Sequence, residues 1–408
     1  MKKLLIITHL KHQQSSNRIV SISKYLQEFG WEVTILSPKT DVKVPANVRL
    51  VETENYESEY GKIKLADKKY GKIRPYLRKI YKYYKEIKQY PDAEEEWIPL
   101  AYNDTVKIIE DNPIDAIISS SSPVSAHIIA SMLKERFNIP WIADFRDLWT
   151  QNHCYPYSRV RKCFETRLEK KTLLDADVLT TVSETWKTRL RRLHGFDRRV
   201  FHISNGFDSD LAYSPLTKEF TITYTGQVYE GKQYVENIFK ALSSLLENNV
   251  INREYIHLRF YGTQFSILLP LVKKYDMSDV TEMYEQIPKS EVLLRQAESQ
   301  VLLYFNWEEE YEKGVIAGKL YEYLGSKRPI LATGGYGNDE VQKILEQTKG
   351  GYYCSSLDRI SLCLKELYLN YKLNGKVSYN GKQYEIMKYH YRDIAWQFVQ
   401  LLDDIKND

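Results

Sequence analysis

Short apolar runs of strand length alternate with helical stretches along this chain, and the alternation starts afresh at residue 220. LLIIT (4–8), EVTILS (32–37), DAIISSS (115–121), IPWIADF (139–145), DVLTTVS (177–183) and VFHIS (200–204) read as strands. Helical patterns lie between them at 19–26, 127–137 and 163–174. After the turn NGFD (205–208) come FTITYTG (220–226), IHLRFYG (256–262), SQVLLYF (299–305) and RPILAT (328–333), again separated by helical stretches. Continuous apolar runs are the mark of strands buried on both faces, as in parallel sheets covered by helices. The pattern predicts an α/β protein of two Rossmann-like, doubly wound parallel-sheet domains facing a cleft. Their ligands are expected beyond the carboxyl ends of the strands. Residues 1–206 are assigned to the first domain and 207–389 to the second, with a last helix, 390–408, packing back on the first.

The chain has 408 residues, 43% of them hydrophobic, enough for two cores. A net charge of +4 does not point to nucleic acid. Cys154, Cys163, Cys354 and Cys363 form no C-x-x-C and no zinc spacing; they read as reduced thiols of a cytosolic protein. MKKLLIITHL has too short an apolar run for a signal peptide, and no run of 18 apolar residues offers a membrane span. One segment stands apart. Residues 61–90 hold eleven Lys or Arg, six Tyr and two acids, Asp67 and Glu86. Such a basic aromatic stretch suits an anionic membrane surface, here the inner face of the membrane. A solvated helical face beside the cleft is the alternative.

Two loops carry charge at expected strand ends. In ITYTGQVYEGK (222–232), Gly226 and Gly231-Lys232 stand as in a nucleoside triphosphate loop, but Gln233 replaces the metal-binding hydroxyl. Exposed amides, a following helix and Lys232 make an anion site; a glycine turn with a surface lysine is the plain alternative. In GVIAGKLYEYLGSKRPILA (314–332), Lys319 and Glu322 share one helical face. A lysine there can meet a diphosphate and a glutamate can accept the hydroxyls of a ribose; a surface ion pair would look the same.

Together with SSSSPVSAHIIA (119–130), IPWIADFRDLW (139–149), ADVLTTVSETW (176–186) and VFHISNGFD (200–208), these loops stand in an order that resembles a family 4 (group 1) glycosyltransferase of the GT-B fold, of the bacterial surface-polysaccharide type. The resemblance implies a donor side made of Gly226, Gln227, Lys232, Gly318, Lys319, Leu320 and Glu322. Lys232 matches the second residue of the family's basic pair; Gln227 stands where the first is usually Arg. Glu322 matches the second of two glutamates eight apart, and Gly314 replaces the first. That leaves the donor sugar to backbone amides at 314–318 or to Glu312.

The N-terminal half is expected to bind the acceptor. Asp144 can orient an acceptor hydroxyl and Arg146 can pair with phosphate, with Asp147 beside them; a buried structural Asp–Arg pair is the alternative. His127 is a further candidate contact. Ser15, Ser16 and Arg18 are candidates in the first loop. By the same resemblance, Asn205, Gly206, Phe207 and Asp208 form the hinge.

The expected function is therefore a retaining, metal-independent transfer of a sugar from a nucleotide diphosphate donor to a glycan or lipid-linked acceptor. Lys232, Asp144 and His127 stand nearest the chemistry, and no cofactor is needed. A nucleotide-sugar 2-epimerase of the same fold and a non-catalytic component of a polysaccharide assembly complex are the competing readings. The absence of an early G-x-G-x-x-G argues against a nicotinamide dehydrogenase.

Overall fold

A computed structural model describes residues 1–10, 18–53, 56, 86, 89–155, 157–208, 214–262 and 265–407. Ser15, Ser16 and the basic segment 61–90, apart from Glu86, Gln89 and Tyr90, lie outside the described residues. The chain divides into two compact units, residues 1–204 with 391–408, and residues 205–390.

The first unit is built on seven strands: β1 (Lys2–Thr8), β2 (Trp31–Pro38), β3 (Val48–Thr53), β4 (Ala116–Ser121), β5 (Trp141–Phe145), β6 (Val178–Thr181) and β7 (Val200–His202). They run in the order β3-β2-β1-β4-β5-β6-β7, and every pairing is parallel. The order reverses between β1 and β4, so the crevice for a ligand opens beyond their carboxyl ends. Ile394, Phe398 and Leu402 recur every four residues along the last helix, Tyr391–Asn407, and are fully buried in one core with Ile19, Ile22 and Leu26 of the helix Arg18–Leu26. Burying a side chain of that size stabilises by about 1.5–3 kcal/mol, and this stripe fastens the C-terminus to the N-terminal unit.

The second unit holds β8 (Phe220–Thr225), β9 (Ile256–Tyr261), β10 (Thr281–Tyr284), β11 (Val301–Phe305), β12 (Ile330–Thr333) and β13 (Gly351–Cys354). All are parallel, in the order β10-β9-β8-β11-β12-β13, with the reversal between β8 and β11. One face of this sheet packs around Phe220, Ile222, Phe239 and Leu258, the other around Leu302, Tyr304, Leu320 and Leu324. In the NGFD turn, the Phe207 amide donates to the Tyr389 carbonyl at 3.0 Å, and Phe207 pairs with His390 in an isolated parallel bridge.

The doubly wound α/β expectation holds for both units. All ten expected strands are present, most of them shorter by one or two residues. The three that were not expected, β3, β10 and β13, are edge strands. VRLVET and TEMY keep half-exposed residues along their length, and GYYC buries fully only its last. A strand covered on one side has no need of a continuous apolar run, so the signal that reveals an interior strand is missing. Among the described residues no helix is long and apolar enough to cross a membrane.

Candidate active site

The second unit gathers its charges at the switch point, beyond β8 and β11. Gly226 ends β8 with φ +117, and a Cβ there would stand 2.7 Å from the Lys319 Nζ. A glycine is what lets the ammonium lie over the strand end. Lys319 opens the helix Lys319–Gly325 and donates to the Tyr224 hydroxyl at 2.7 Å, with Nζ 4.1 Å from the ring centroid. That hydroxyl in turn donates to the Gln227 carbonyl at 2.7 Å, so Tyr224 fixes both the ammonium and the first turn of the 226–232 loop. Lys319 keeps some contact with solvent, but protein surrounds its ammonium. Desolvation pulls its pKa down to about 7, against the opposing pull of Glu322. Its other N–H directions have no hydrogen-bond partner among the described residues.

Glu322, one turn further on, is largely buried and is paired with the exposed Lys289. Lys232 sits 3.2 Å from the carboxylate of Glu312, which is fully buried, and 5.6 Å from the centroid of Trp307. The 226–232 loop does not run straight into a helix. The next one begins at Glu236, so Gly231 and Lys232 do not form its N-terminus. Gln233 has a structural task there: its side-chain oxygen accepts from the Tyr229 amide at 3.1 Å and its nitrogen donates to the Phe305 carbonyl at 3.0 Å. A Ser or Thr could not span both. Gly318 and Leu320 flank Lys319, Leu320 wholly buried, and the Ala317 amide donates to the Tyr304 hydroxyl at 3.2 Å, which holds the 314–318 loop.

Two features here escaped the sequence. Glu308, just beyond β11, has its carboxyl pushed up to about 7 by burial and by neighbouring Glu309. Its only signal in sequence is its place after a strand, inside the acid run WEEEYE. A small pocket of about 10 Å³ lies at the ends of β8, β9 and β10, lined by Tyr224, Gly226, Phe260, Gly262 and Tyr284 among others. At its rim Tyr261 and Tyr284 stack with centroids 4.7 Å apart. At Gly262 a Cβ would stand 2.2 Å from the Gly226 carbonyl oxygen, so the two loops can approach only with glycine there.

In the first unit, Asp144 at the end of β5 is fully buried and fully engaged. It accepts from Ser120 at 2.9 Å and Thr180 at 2.8 Å, and lies 3.4 Å from Arg18. Arg18 also donates to the carbonyls of Ser204 and Ile203. Arg146 is half-buried and donates to Ser120 and to the Ser122 carbonyl, each at 3.2 Å. Burial lowers its pKa, while Asp147 and Asp144 raise it. The Asp147 side chain has no hydrogen bond or ion pair among the described residues.

His127 is fully buried. Trp141 donates its Nε1 hydrogen to Ser119 Oγ at 2.7 Å, and Ser119 Oγ shares a second hydrogen bond with His127 Nδ1, also at 2.7 Å. His127 Nε2 has no hydrogen-bond partner among the described residues. Burial pushes the His127 pKa down to about 3, and the ring is neutral. The structure thus gathers Arg18, Asp144, Arg146 and His127 in the first unit, and Gly226, Gln227 and Lys319 in the second. Glu322 and Lys232 it places on ion pairs of their own. Among the described residues no group of three or more His, Cys, Asp or Glu is set to hold a metal.

The sequence model of Glycosyltransferase Family 4 matches residues 15–211, a little under half the chain. No curated protein matches the sequence. Among solved structures, sucrose-phosphate synthase from Thermosynechococcus elongatus superposes with a TM-score of 0.69 at 14% identity, covering 100% of both chains. The α,α-trehalose 6-phosphate synthase of Burkholderia multivorans gives 0.65 at 12% identity over 100% of this chain and 97% of its own. The Anabaena protein HepE, solved in complex with UDP, gives 0.64 at 10% identity over 99% and 100%. The chain therefore has the two-domain GT-B fold, and its N-terminal half is similar to glycosyltransferase family 4.

Proposed function

We propose that this chain is a retaining glycosyltransferase that moves a sugar from a nucleoside diphosphate donor to a hydroxyl of a glycan or lipid-linked acceptor, in cell-surface polysaccharide synthesis at the cytoplasmic side of a membrane. The observation that carries the reading is Lys319: an ammonium desolvated over the Gly226 strand end, bound to one neutral hydroxyl, at the switch point of the donor-type unit. A buried cation without its own carboxylate is an arrangement that an anionic ligand completes.

As the glycosidic bond breaks, charge grows on the leaving diphosphate. Fixed cations aimed at it stabilise the transition state more than the bound donor. Lys319 and Lys232 take that role, with no metal and no cofactor. Glu322 accepts the ribose hydroxyls, exchanging Lys289 for them. Tyr284, exposed and stacked on Tyr261, offers an aromatic face to a base. Asp144, held by its partners, orients Arg146; Arg146, with Asp147 and the unpartnered His127 Nε2, serves the acceptor side. The family match, the shared fold of two sugar-phosphate synthases, and HepE's complex with UDP support a nucleotide-sugar donor.

The test is calorimetric titration of UDP and other nucleoside diphosphates into the wild type and Glu322→Ala, with nucleotide-sugar turnover followed in EDTA, with and without glycan and lipid-linked acceptors. Hydrogen bonds to a carboxylate are worth about 1.5–3 kcal/mol each, so Glu322→Ala is expected to weaken binding at least tenfold. Diphosphate release should require an acceptor. Unchanged affinity in the folded variant would remove Glu322 from the site. Epimerised donor formed without any acceptor would replace transfer by epimerisation.

A further inference from the structure

The helix Arg159–Thr172 is folded inside out. Its inward stripe is Arg161, Glu165, Glu169 and Thr172, all buried. Arg161 pairs with Glu165 at 2.5 Å; Glu165 accepts from the Trp149 ring nitrogen at 3.2 Å; Glu169 accepts from the Thr150 amide and hydroxyl and faces His194 at 3.3 Å. The outward face carries Val160, 69% exposed, and Phe164, 55% exposed, with Leu174, 69% exposed, just past its end. At 100° per residue, Val160, Phe164, Arg167 and Lys171 fall within about 60° of the helix wheel. Arg159, Lys162, Arg167, Lys170 and Lys171 are all exposed, and among the described residues none is in an ion pair. The helix's two acids are Glu165 and Glu169, and both point inward.

A surface helix ordinarily buries its apolar stripe and shows its charges to water. Here the fold consumes the charged stripe and presents Val160 and Phe164 beside Arg167 and Lys171, with Lys170 and Arg159 further round the same outward side; among the described residues none of these cations is in an ion pair. We propose that this outward face is a docking surface for an anionic lipid bilayer. Cations meet headgroup phosphates, and the apolar side chains of the same face enter the acyl boundary. A nucleic acid would satisfy the cations and leave Val160 and Phe164 in contact with backbone and water; a bilayer satisfies both.

The inward side ties this helix to the lysine- and tyrosine-rich stretch of the sequence. Arg161 donates to the carbonyls of Glu86, Gln89 and Pro91, and its guanidinium lies 3.3 Å from the Tyr157 centroid. The C-terminal end of segment 61–90 is thus pinned under the helix whose outer face is proposed to meet lipid. This surface is separate from the residues of the sugar-transfer reading and stands or falls without it.

The full chain is tested by co-sedimentation with phosphatidylcholine vesicles and with vesicles containing about one third phosphatidylglycerol. Each basic residue near an anionic surface is worth about a factor of five in partition. Arg167→Gln, Lys170→Gln and Lys171→Gln together are therefore expected to reduce binding to acidic vesicles by roughly a hundredfold, and Phe164→Ser to weaken it further. All four positions are exposed, so near-UV circular dichroism should match the wild type. A second readout locates the contact. In a Cys154→Ser background Cys163 is the remaining exposed cysteine, in the midst of the face; an environment-sensitive dye there should shift to the blue with acidic vesicles and not with neutral ones. Absence of binding, equal binding to both vesicle types, wild-type binding by the triple variant, or sedimentation with no spectral shift would each overturn the proposal.

Discussion

Asp144 and Lys319 occupy corresponding places: each is a charged group just at or beyond the carboxyl end of a strand in a parallel sheet. Their surroundings are opposite. Asp144 is fully buried and its oxygens are used by Ser120, Thr180 and Arg18, so its charge is part of the architecture. Lys319 has one neutral hydroxyl, and the carboxylate that acts on it is paired with another lysine. The lesson is that burial alone does not mark a functional charge. A buried charge whose partners are complete holds the fold together, and one whose partners are incomplete is poised for a ligand. In the first unit the groups left for a ligand are the ones around Asp144: the half-buried Arg146, the Asp147 carboxylate and the unpartnered His127 Nε2.

The largest expected effect tests the saturated side. Asp144→Asn removes the carboxylate charge 3.4 Å from the buried Arg18, and breaking such a pair costs about 3–5 kcal/mol. Denaturant unfolding of the first unit should show a loss of that size; a loss under 1 kcal/mol would mean that Asp144 is no more structural than Lys319. Next comes the open side. Lys319→Met is expected to lower sugar transfer by roughly 10²–10³, the range for removing one preorganised stabiliser of a leaving charge, while stability holds or rises. The sign follows from the depressed pKa: the folded value, about 7, lies below the ordinary 10.5, so the charged lysine opposes folding below pH 7 and that penalty disappears as pH climbs to 10.5. Instability of Lys319→Met comparable to that of Asp144→Asn would dissolve the contrast.

The smallest effect sharpens it by pH. A diphosphate selects the charged ammonium and holds its proton, so the bound pKa lies above the free one. Affinity is then insensitive to Lys319 below pH 7 and falls above it, by about tenfold between pH 7.5 and 8.5. The nucleotide's own phosphate ionisation is already complete there, since the relevant pKa is about 6. Titration of UDP across this range should show the slope in the wild type and a flat line in Lys319→Met. A flat wild-type profile would mean that the ammonium is not part of the anion site.

Much of the fold is legible in the sequence, for a physical reason. Interior strands such as FTITYT and AIISSS are covered on both faces and must be apolar or small throughout, so the sequence displays them; the edge strands VRLVET, TEMY and GYYC are not, and it does not. The candidate site was legible as a set of residue names. Gly226, Lys319 and Glu322 stand where strand ends and a helix start put them. Gln233, which looked like a broken phosphate motif, is a loop staple whose two partners are a near amide and a carbonyl 72 residues away. Glu308 was hidden because its raised pKa comes from packing around it, which no run of acids reveals.

The sequence by itself determined the twofold strand–helix alternation, the parallel character of both sheets and the clustering of charge at their carboxyl ends, because these follow from local periodicity and composition. Tertiary structure alone decided which charges are spent. Lys319 meets Tyr224 across 95 residues of chain, and Asp144 meets Arg18 across 126. It also decided that the helix Arg159–Thr172 turns its charged stripe inward, since only packing supplies the partners Trp149, Thr150 and His194. Desolvation and hydrogen-bond completion depend on what surrounds a group in space, and residues so distant along the chain carry no pattern that announces their meeting.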